Sequence, residues 1–399
     1  MSPQLEEFNR AKPKVDFLIA LLTMNVVSGP PNDRFFLQFL ALSNRIYFFC
    51  LFIHLINTKF ELNFNTLITF LSFGAVVGYG FRSFVGLIKR EEFQQFLLNF
   101  ENLYEEQEED EELEQILKNH LVVSLKFFEF FNKWGIIFFC TGAVLCSIYF
   151  RFNEDYGLMY ELPFIASDNV MWKNFLFILQ GFFYVFLAIT TILLDLGIFF
   201  LGLQVIAELN ILSDYMKLLN EKIKAQPKFL RNIIRRHCSA IENLNILSGI
   251  ISETAILQLF LAFVALCIGM MFLITYSTDI GNYIIIICGG SLGLPICVLG
   301  EIIKNKTDDL SDILYLTNWY EFSLKDQKMF LIVLGMAQRE YGLKAAGMYD
   351  VNFYTFIQVC LKSIIIYVDL IINFKNKLLI LQISKVAFSY CAVLYSLSQ

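Results

Sequence analysis

The chain has 399 residues, 57% of them hydrophobic, 16% aromatic and only 17% charged. A soluble chain of this size is roughly 45–50% apolar and about 25% charged. Composition therefore excludes an ordinary soluble domain and points to an all-α polytopic membrane protein. The formal charge of −6 is uninformative as a sum, because much of the acid sits in one connection and the bases sit elsewhere.

The first apolar run, Val15–Val27, follows Arg10, Lys12 and Lys14. Glu6 and Glu7 spoil a signal-peptide n-region, Gly29-Pro30-Pro31 offers no small-residue cleavage site, and the run is too short to span. It reads as an interfacial or packed helix. Spans follow at Phe35–Ile56, Leu67–Ile88, Trp134–Phe150, Phe175–Gln204, Ala255–Tyr276 and Tyr283–Ile303. The third extends back toward Val122, and the sixth holds Gly289, Gly290, Gly293 and Pro295, which predicts a kink.

The C-terminal stretch offers two further candidates, Thr355–Ile372 and Lys377–Leu397, separated by the polar run 373–376. One span needs roughly 20 apolar residues, so the stretch is too long for one helix. Counted as a single seventh span, it makes seven transmembrane helices.

Basic residues set the expected orientation. The N-terminus and the second, fourth and sixth connections carry nearly all of them, including Lys89, Arg90, Lys217, Lys222, Arg236, Lys304 and Arg339. The first and third hold only Lys59, Arg151 and Lys173. The N-terminus is then cytoplasmic and the C-terminus extracellular, with long helical extensions in the cytosol. That is opposite to a G-protein-coupled receptor, and no D/E-R-Y or N-P-x-x-Y motif stands where that class carries them. A transporter calls for an internal repeat, and none is found.

Two extramembrane stretches carry charge patterns. ENLYEEQEEDEELE (residues 101–114) reads either as a solvated helix face or as a cation-attracting vestibule. Ile206–Ile251 is amphipathic, with a basic face at Lys228–Arg236, as expected of helices packing together outside the membrane.

No motif supports enzymatic chemistry: there is no P-loop, HExxH, GxSxG or kinase set. His54, His120 and His237 are scattered, and nine cysteines form no metal or disulfide pattern. The sequence calls for no cofactor, no metal and no nucleic-acid partner.

Charge inside the spans is costly and turned inward. Arg82 lies near enough to Lys89 to snorkel toward the cytosol, while Asp195 has Arg45 or Arg82 as possible partners. In the outer halves of spans two to four, aromatics mix with small and polar residues: Phe70, Phe73, Phe139, Gly142, Ser147, Tyr149, Phe177, Gln180 and Tyr184. That mixture suits a small, volatile, hydrophobic ligand. It also suits plain helix packing.

From the fourth connection onward the chain resembles the insect odorant receptor family. The resemblance is carried by His237 in IIRRHCSAIENLN, Gly300-Glu301, LSDILYLTNWY (310–320), FLIVLGMAQR (330–339), Ala346-Gly347, Asn352, Thr355-Phe356, and Phe388-Ser389-Tyr390 with Val393-Leu394. It differs from the gustatory receptors, the alternative channel family, whose last helix carries T-Y-x5-Q-F. The fourth connection is too short for the family's shared co-receptor, which implies a ligand-tuning subunit.

The resemblance implies an odorant-gated, non-selective cation channel in the plasma membrane of olfactory neuron dendrites. It implies a heteromer with the co-receptor, a tetramer in which the last helix lines the pore through Tyr390, Val393 and Leu394. The expected organisation is a cytoplasmic segment (1–34), spans one to four as the ligand-binding half (35–204) and anchor helices (205–254). Spans five and six, further anchor and the start of helix seven follow (255–358).

The family signature is split between 347–358 and 383–397. The segment 359–382 has no counterpart in the family pattern, is rich in Ile, Leu, Asn, Lys and Phe, and counts 24 codons. Val-Cys can be written GTATGT, a splice donor, and the closing Gln can be written CAG, an acceptor. The segment reads as a retained or missed intron, or as a true insertion with Lys362 and Asp369 inside a half-span. If translated, it is expected to strain or divert the last helix. Residues 383–399 then end the pore-lining helix.

Overall fold

The computed structural model describes residues 3–25, 30–58, 64–152, 158, 160, 170–226, 228–275 and 280–373. Eleven helices are described: α1 Pro3–Leu22, α2 Pro31–Asn57, α3 Phe64–Ile88, α4 Arg90–Glu105, α5 Glu111–Phe152, α6 Val170–Lys217, α7 Leu219–Ala225, α8 Phe229–Thr275, α9 Ile280–Tyr315, α10 Leu324–Ala337 and α11 Phe353–Asn373. Two short antiparallel strands, β1 (Lys344–Ala345) and β2 (Tyr349–Asp350), precede α11.

Five of these helices, α2, α3, α5, α6 and α8, are long and apolar enough to cross a membrane, among the described residues. At 1.5 Å per residue, α5, α6 and α8 reach about 60–70 Å, twice a bilayer's hydrocarbon thickness. Their surplus extends beyond the membrane at one end. There α1, α4, α7, the first halves of α5 and α8 and the second half of α6 build the main core around Phe96, Phe100, Phe128, Phe200, Phe229 and Leu247. Burial of each span's most apolar stretch sorts the bundle: 61% in α6 and α8 against 6% in α5. The first two are central and α5 is peripheral.

The apolar run Val15–Val27 packs against the bundle where it is described. Phe8, Ala11, Val15, Leu18 and Leu22 of α1 are all buried against α3, α5 and α6. Glycines admit its end: a Cβ on Gly86 of α3 would overlap the Leu22 carbonyl, and one on Gly197 of α6 would press the Leu22 side chain.

The acidic stretch 101–114 is part exposed and part paired: Glu105, Glu109 and Glu111 face outward, while other acids meet bases from neighbouring helices. Lys12 of α1 pairs with Glu101 at 2.6 Å, Lys222 of α7 reaches Asp110 at 2.6 Å and Glu112 at 2.8 Å, and Arg236 of α8 pairs with Glu106 and Glu108. The Arg236 guanidinium also lies over the Tyr215 ring. The charges act as a clamp among α1, α6, α7 and α8.

α11 is helical without a break across the proposed junction at 358/359. Val359 and Ser363 are buried, and the Ser363 hydroxyl donates to the Val359 carbonyl. No diversion appears through Asn373; the remainder of the segment, 374–382, lies outside the described residues.

Candidate functional site

At the end of the bundle opposite the main core, α2, α3 and α6 close around an aromatic cluster. Tyr47 of α2 stacks on Phe183 of α6 at 4.7 Å, and Tyr160 meets Phe183 edge-on at 5.6 Å. Tyr160 is fully buried and its hydroxyl donates to the Leu176 carbonyl at 2.5 Å. Cys50, Leu51, Val76, Leu176 and Leu187 complete the wall, with Phe48 and Phe73 stacked at 5.0 Å on its flank. A second patch, Leu67, Ile68, Phe150 and Ile268, continues it toward α5 and α8, with Tyr149 and Tyr184 against it. Below, the Asn44 amide donates to Thr190 Oγ1 at 3.0 Å, holding α2 to α6.

The residues singled out from sequence divide in this geometry. Phe73, Tyr149 and Tyr184 join the cluster or its continuation. Gln180 is buried on α6, one turn from Leu176 and Tyr184. Ser147 lies against Gly181, its hydroxyl donating to the Ala143 carbonyl. Phe70 and Gly142 are exposed on the outer surface, Phe139 packs on the main core, and Phe177 sits under the Arg151 guanidinium at 5.2 Å. The proposed pore residues Tyr390, Val393 and Leu394 lie outside the described residues.

Sequence reasoning missed Tyr47, Ser72 and Tyr160 as members of this end of the bundle. A signal for Tyr47 was available. Six of the buried residues of α2, Leu37, Leu40, Asn44, Tyr47, Leu51 and Leu55, recur as a helical stripe. Two polar residues on a buried stripe need a partner or a purpose. Tyr160 stands in a connection with no periodicity and carried no such signal.

A second polar site lies deeper. Arg82 is 7% exposed and pairs with Asp195 at 2.7 Å, and the Gln258 amide donates to the same carboxylate oxygen at 3.1 Å. This corrects the snorkelling reading of Arg82, whose charge is met inside the bundle. Lys89, one helix end away, turns instead to Glu253 at 2.5 Å and to the Gly249 carbonyl. Pro295, Ile296 and Leu299 of α9 close the same small cavity of about 20 Å³.

At the base of α11, six of the residues behind the family resemblance, Gly300, Glu301, Ala346, Gly347, Asn352 and Thr355, lie together. Glu301 accepts from Phe353 N at 3.2 Å and Asn352 Oδ1 accepts from Thr355 N at 2.8 Å, so both cap the helix. Gly300 gives room to the Val351 carbonyl, and Gly347 takes φ +72° in the turn between β1 and β2. The Ala346 N–H reaches back to the Ser252 carbonyl on α8.

Among the described residues no group of three His, Cys, Asp or Glu could hold a metal ion, and Cys50, Cys140, Cys238, Cys267, Cys297 and Cys360 are free thiols. The family model of the 7tm odorant receptors matches residues 63–364, most of the chain. The chain belongs to that family. As an odorant receptor it stands with receptors rather than enzymes, and its several membrane-crossing helices make it a multi-pass membrane protein.

The fold is similar to that of the insect olfactory receptor OR5 from Machilis hrabei, whose structure was solved in complex with eugenol. The TM-score is 0.70 at 14% identity, covering 92% of this chain and 100% of that one. A second structure of the same receptor gives a TM-score of 0.60 at 12% identity, covering 91% and 99%. At such identities the likeness concerns the fold.

Proposed function

We propose that this odorant receptor is the ligand-tuning subunit of an odorant-gated, non-selective cation channel. It works in a four-subunit heteromer with the family's co-receptor, in the plasma membrane of olfactory sensory dendrites. The observation that carries the reading is the apolar aromatic cluster of Tyr47, Tyr160 and Phe183, enclosed by three helices at one end of the bundle. It is a chamber for a small volatile hydrophobic molecule, and the neighbouring Phe73, Tyr149, Gln180 and Tyr184 belong to its lining or support.

The chain crosses the membrane seven times, with its N-terminus in the cytosol and its C-terminus outside. The paired core of α1, α4, α7 and the inner parts of α5, α6 and α8 is then the cytoplasmic anchor. The last helix surrounds the pore, with Tyr390, Val393 and Leu394 along it. A ligand opens the pore only through its differential affinity for the open state.

The segment 359–382 is a retained intron and is absent from the working subunit. The family match ends at residue 364, inside that segment. Removing it puts Ile383 at the buried position of Val359 and Ala387 at that of Ser363, so the packed face of α11 stays apolar.

The test is current through cells expressing this chain, without 359–382, together with the co-receptor. Volatile panels should evoke a cation current that persists under G-protein block. Surface expression with no evoked current would defeat the channel reading.

A further inference from the structure

Tyr47 is 1% exposed, and its hydroxyl has no hydrogen-bond partner among the described residues. Ser72 of α3 and Tyr184 of α6 bring two more hydroxyls beside it, yet neither completes a bond by distance and angle. The Tyr160 hydroxyl, a ring's width away, is fully satisfied by the Leu176 carbonyl. An orphaned hydroxyl in a packed apolar cluster is costly, because water has been stripped from it and nothing has replaced the lost bond. Packing gives no reason for it: Phe at position 47 would fill the same space against Phe183.

We propose that the Tyr47 hydroxyl, with Ser72 beside it on α3, is the polar subsite of the ligand chamber. The ligand it selects is a neutral volatile bearing one oxygen function: an alcohol, a phenol or a carbonyl compound. This inference rests on reading the same chamber as the odorant site. Ring faces of Phe183, Tyr160 and Tyr47 hold the apolar body, and the oxygen meets the hydroxyls. The described residues packed here are apolar or aromatic, and an ionised ligand seated among them would lose its hydration without compensation. The stacked rings must part to admit the molecule. Binding then exchanges a ring–ring contact for a ring–ligand contact, and the hydroxyl gains a bond it otherwise lacks.

Tyr47→Phe tests this in three measurements. First, the purified full chain without ligand should melt at the same temperature or higher in the variant, since no bond is lost. A clear drop would mean the hydroxyl is satisfied within the protein, by a held water or a neighbour, and would overturn the proposal. Second, currents with the co-receptor are compared for matched pairs: acetophenone against ethylbenzene, 2-heptanone against heptane. The parent protein should respond to one or more oxygenated members at about tenfold lower concentration, the worth of one such bond. Tyr47→Phe should remove that preference, so that each oxygenated member falls to the potency of its paired hydrocarbon. Equal potency in the parent, or a preference kept in the variant, sinks it.

Third, the same pairs are tested for thermal shifts on the purified chains. A shift by the oxygenated member that Tyr47→Phe abolishes, with no current from any probe, would keep the subsite and discard the channel. No shift and no current from any pair would discard both.

Discussion

Arg82 of α3 and Asp195 of α6 hold an ion pair at 2.7 Å in the interior of the bundle, with Gln258 of α8 donating to the same carboxylate. Three helices are thereby tied at one point, beside Pro295 of α9. Such pairs offset their desolvation only when both partners are present.

Asp195→Asn should leave the Arg82 charge buried without its counterion. Removing one partner of a buried pair costs about 3–5 kcal/mol. The purified variant should melt well below the parent and reach the cell surface poorly. Replacing both with Leu should recover most of the loss, because two apolar groups need no partner. If Asp195→Asn melts with the parent, the pair is not what holds α3 to α6.

Glu208 makes a pH-dependent prediction outside the membrane. It is 4% exposed on α6, and it accepts from Ser239 and Asn243 of α8, each at 2.8 Å. Burial raises its carboxyl above the usual range, outweighing those two bonds and the nearby Arg236 charge. A carboxyl raised in the fold binds more protons folded than unfolded. Its contribution to stability is fully present below the unfolded value, about 4.3, and is lost as pH rises through the folded one. Glu208→Gln does not titrate. Its melting temperature relative to the parent should therefore climb from pH 4 to pH 7; a difference independent of pH would refute this account.

Two glycines should answer oppositely to alanine. A Cβ on Gly300 would fall on the Val351 carbonyl, a backbone atom that cannot turn aside. Overpacking of this kind costs about 1–3 kcal/mol, so Gly300→Ala should lower the melting temperature and loosen the start of α11. Gly335, exposed in α10, has open space where its Cβ would stand. Gly335→Ala should be neutral or gain up to about 1 kcal/mol from helix propensity. Parallel melts of both variants decide it.

The elements legible in the sequence were those written in local pattern. The spans matched at α2, α3 and α6 run close to the apolar stretches that announced them, and α1 was rightly set apart from them. The surplus lengths of α6 and α8 were visible as amphipathic repeats beyond the apolar core. What escaped was partner choice across the chain. Arg82 is 113 residues from Asp195, and nothing nearby says which of two arginines wins. Likewise the acids at 101–114 look solvated until α1, α7 and α8 bring Lys12, Lys222 and Arg236 to them. Phe70 and Phe73 show the same limit at the chamber. Three residues apart on α3, they diverge, and only Phe73 finds the Phe48 ring.

The segment 359–382 is open to the most direct test. Its first part helps itself to an existing place: Val359 and Ser363 fill buried positions on α11, so a stable fold is no sign that the segment belongs. The exposed stripe of Tyr354, Ile357, Leu361, Ile364 and Ile365 is the part that changes character. Without the segment, Lys385 stands at 361 and Ser389 at 365, so two aliphatic positions of that stripe become polar. A helix around a water-filled path needs such a stripe, since a wholly aliphatic constriction excludes water and ions. Sequencing the antennal transcript should therefore find the shorter message dominant. In cells with the co-receptor, the shorter chain should conduct and the longer one should reach the surface silent. A dominant message carrying the 24 codons, or current from the longer chain equal to that from the shorter, would show the insertion to be native.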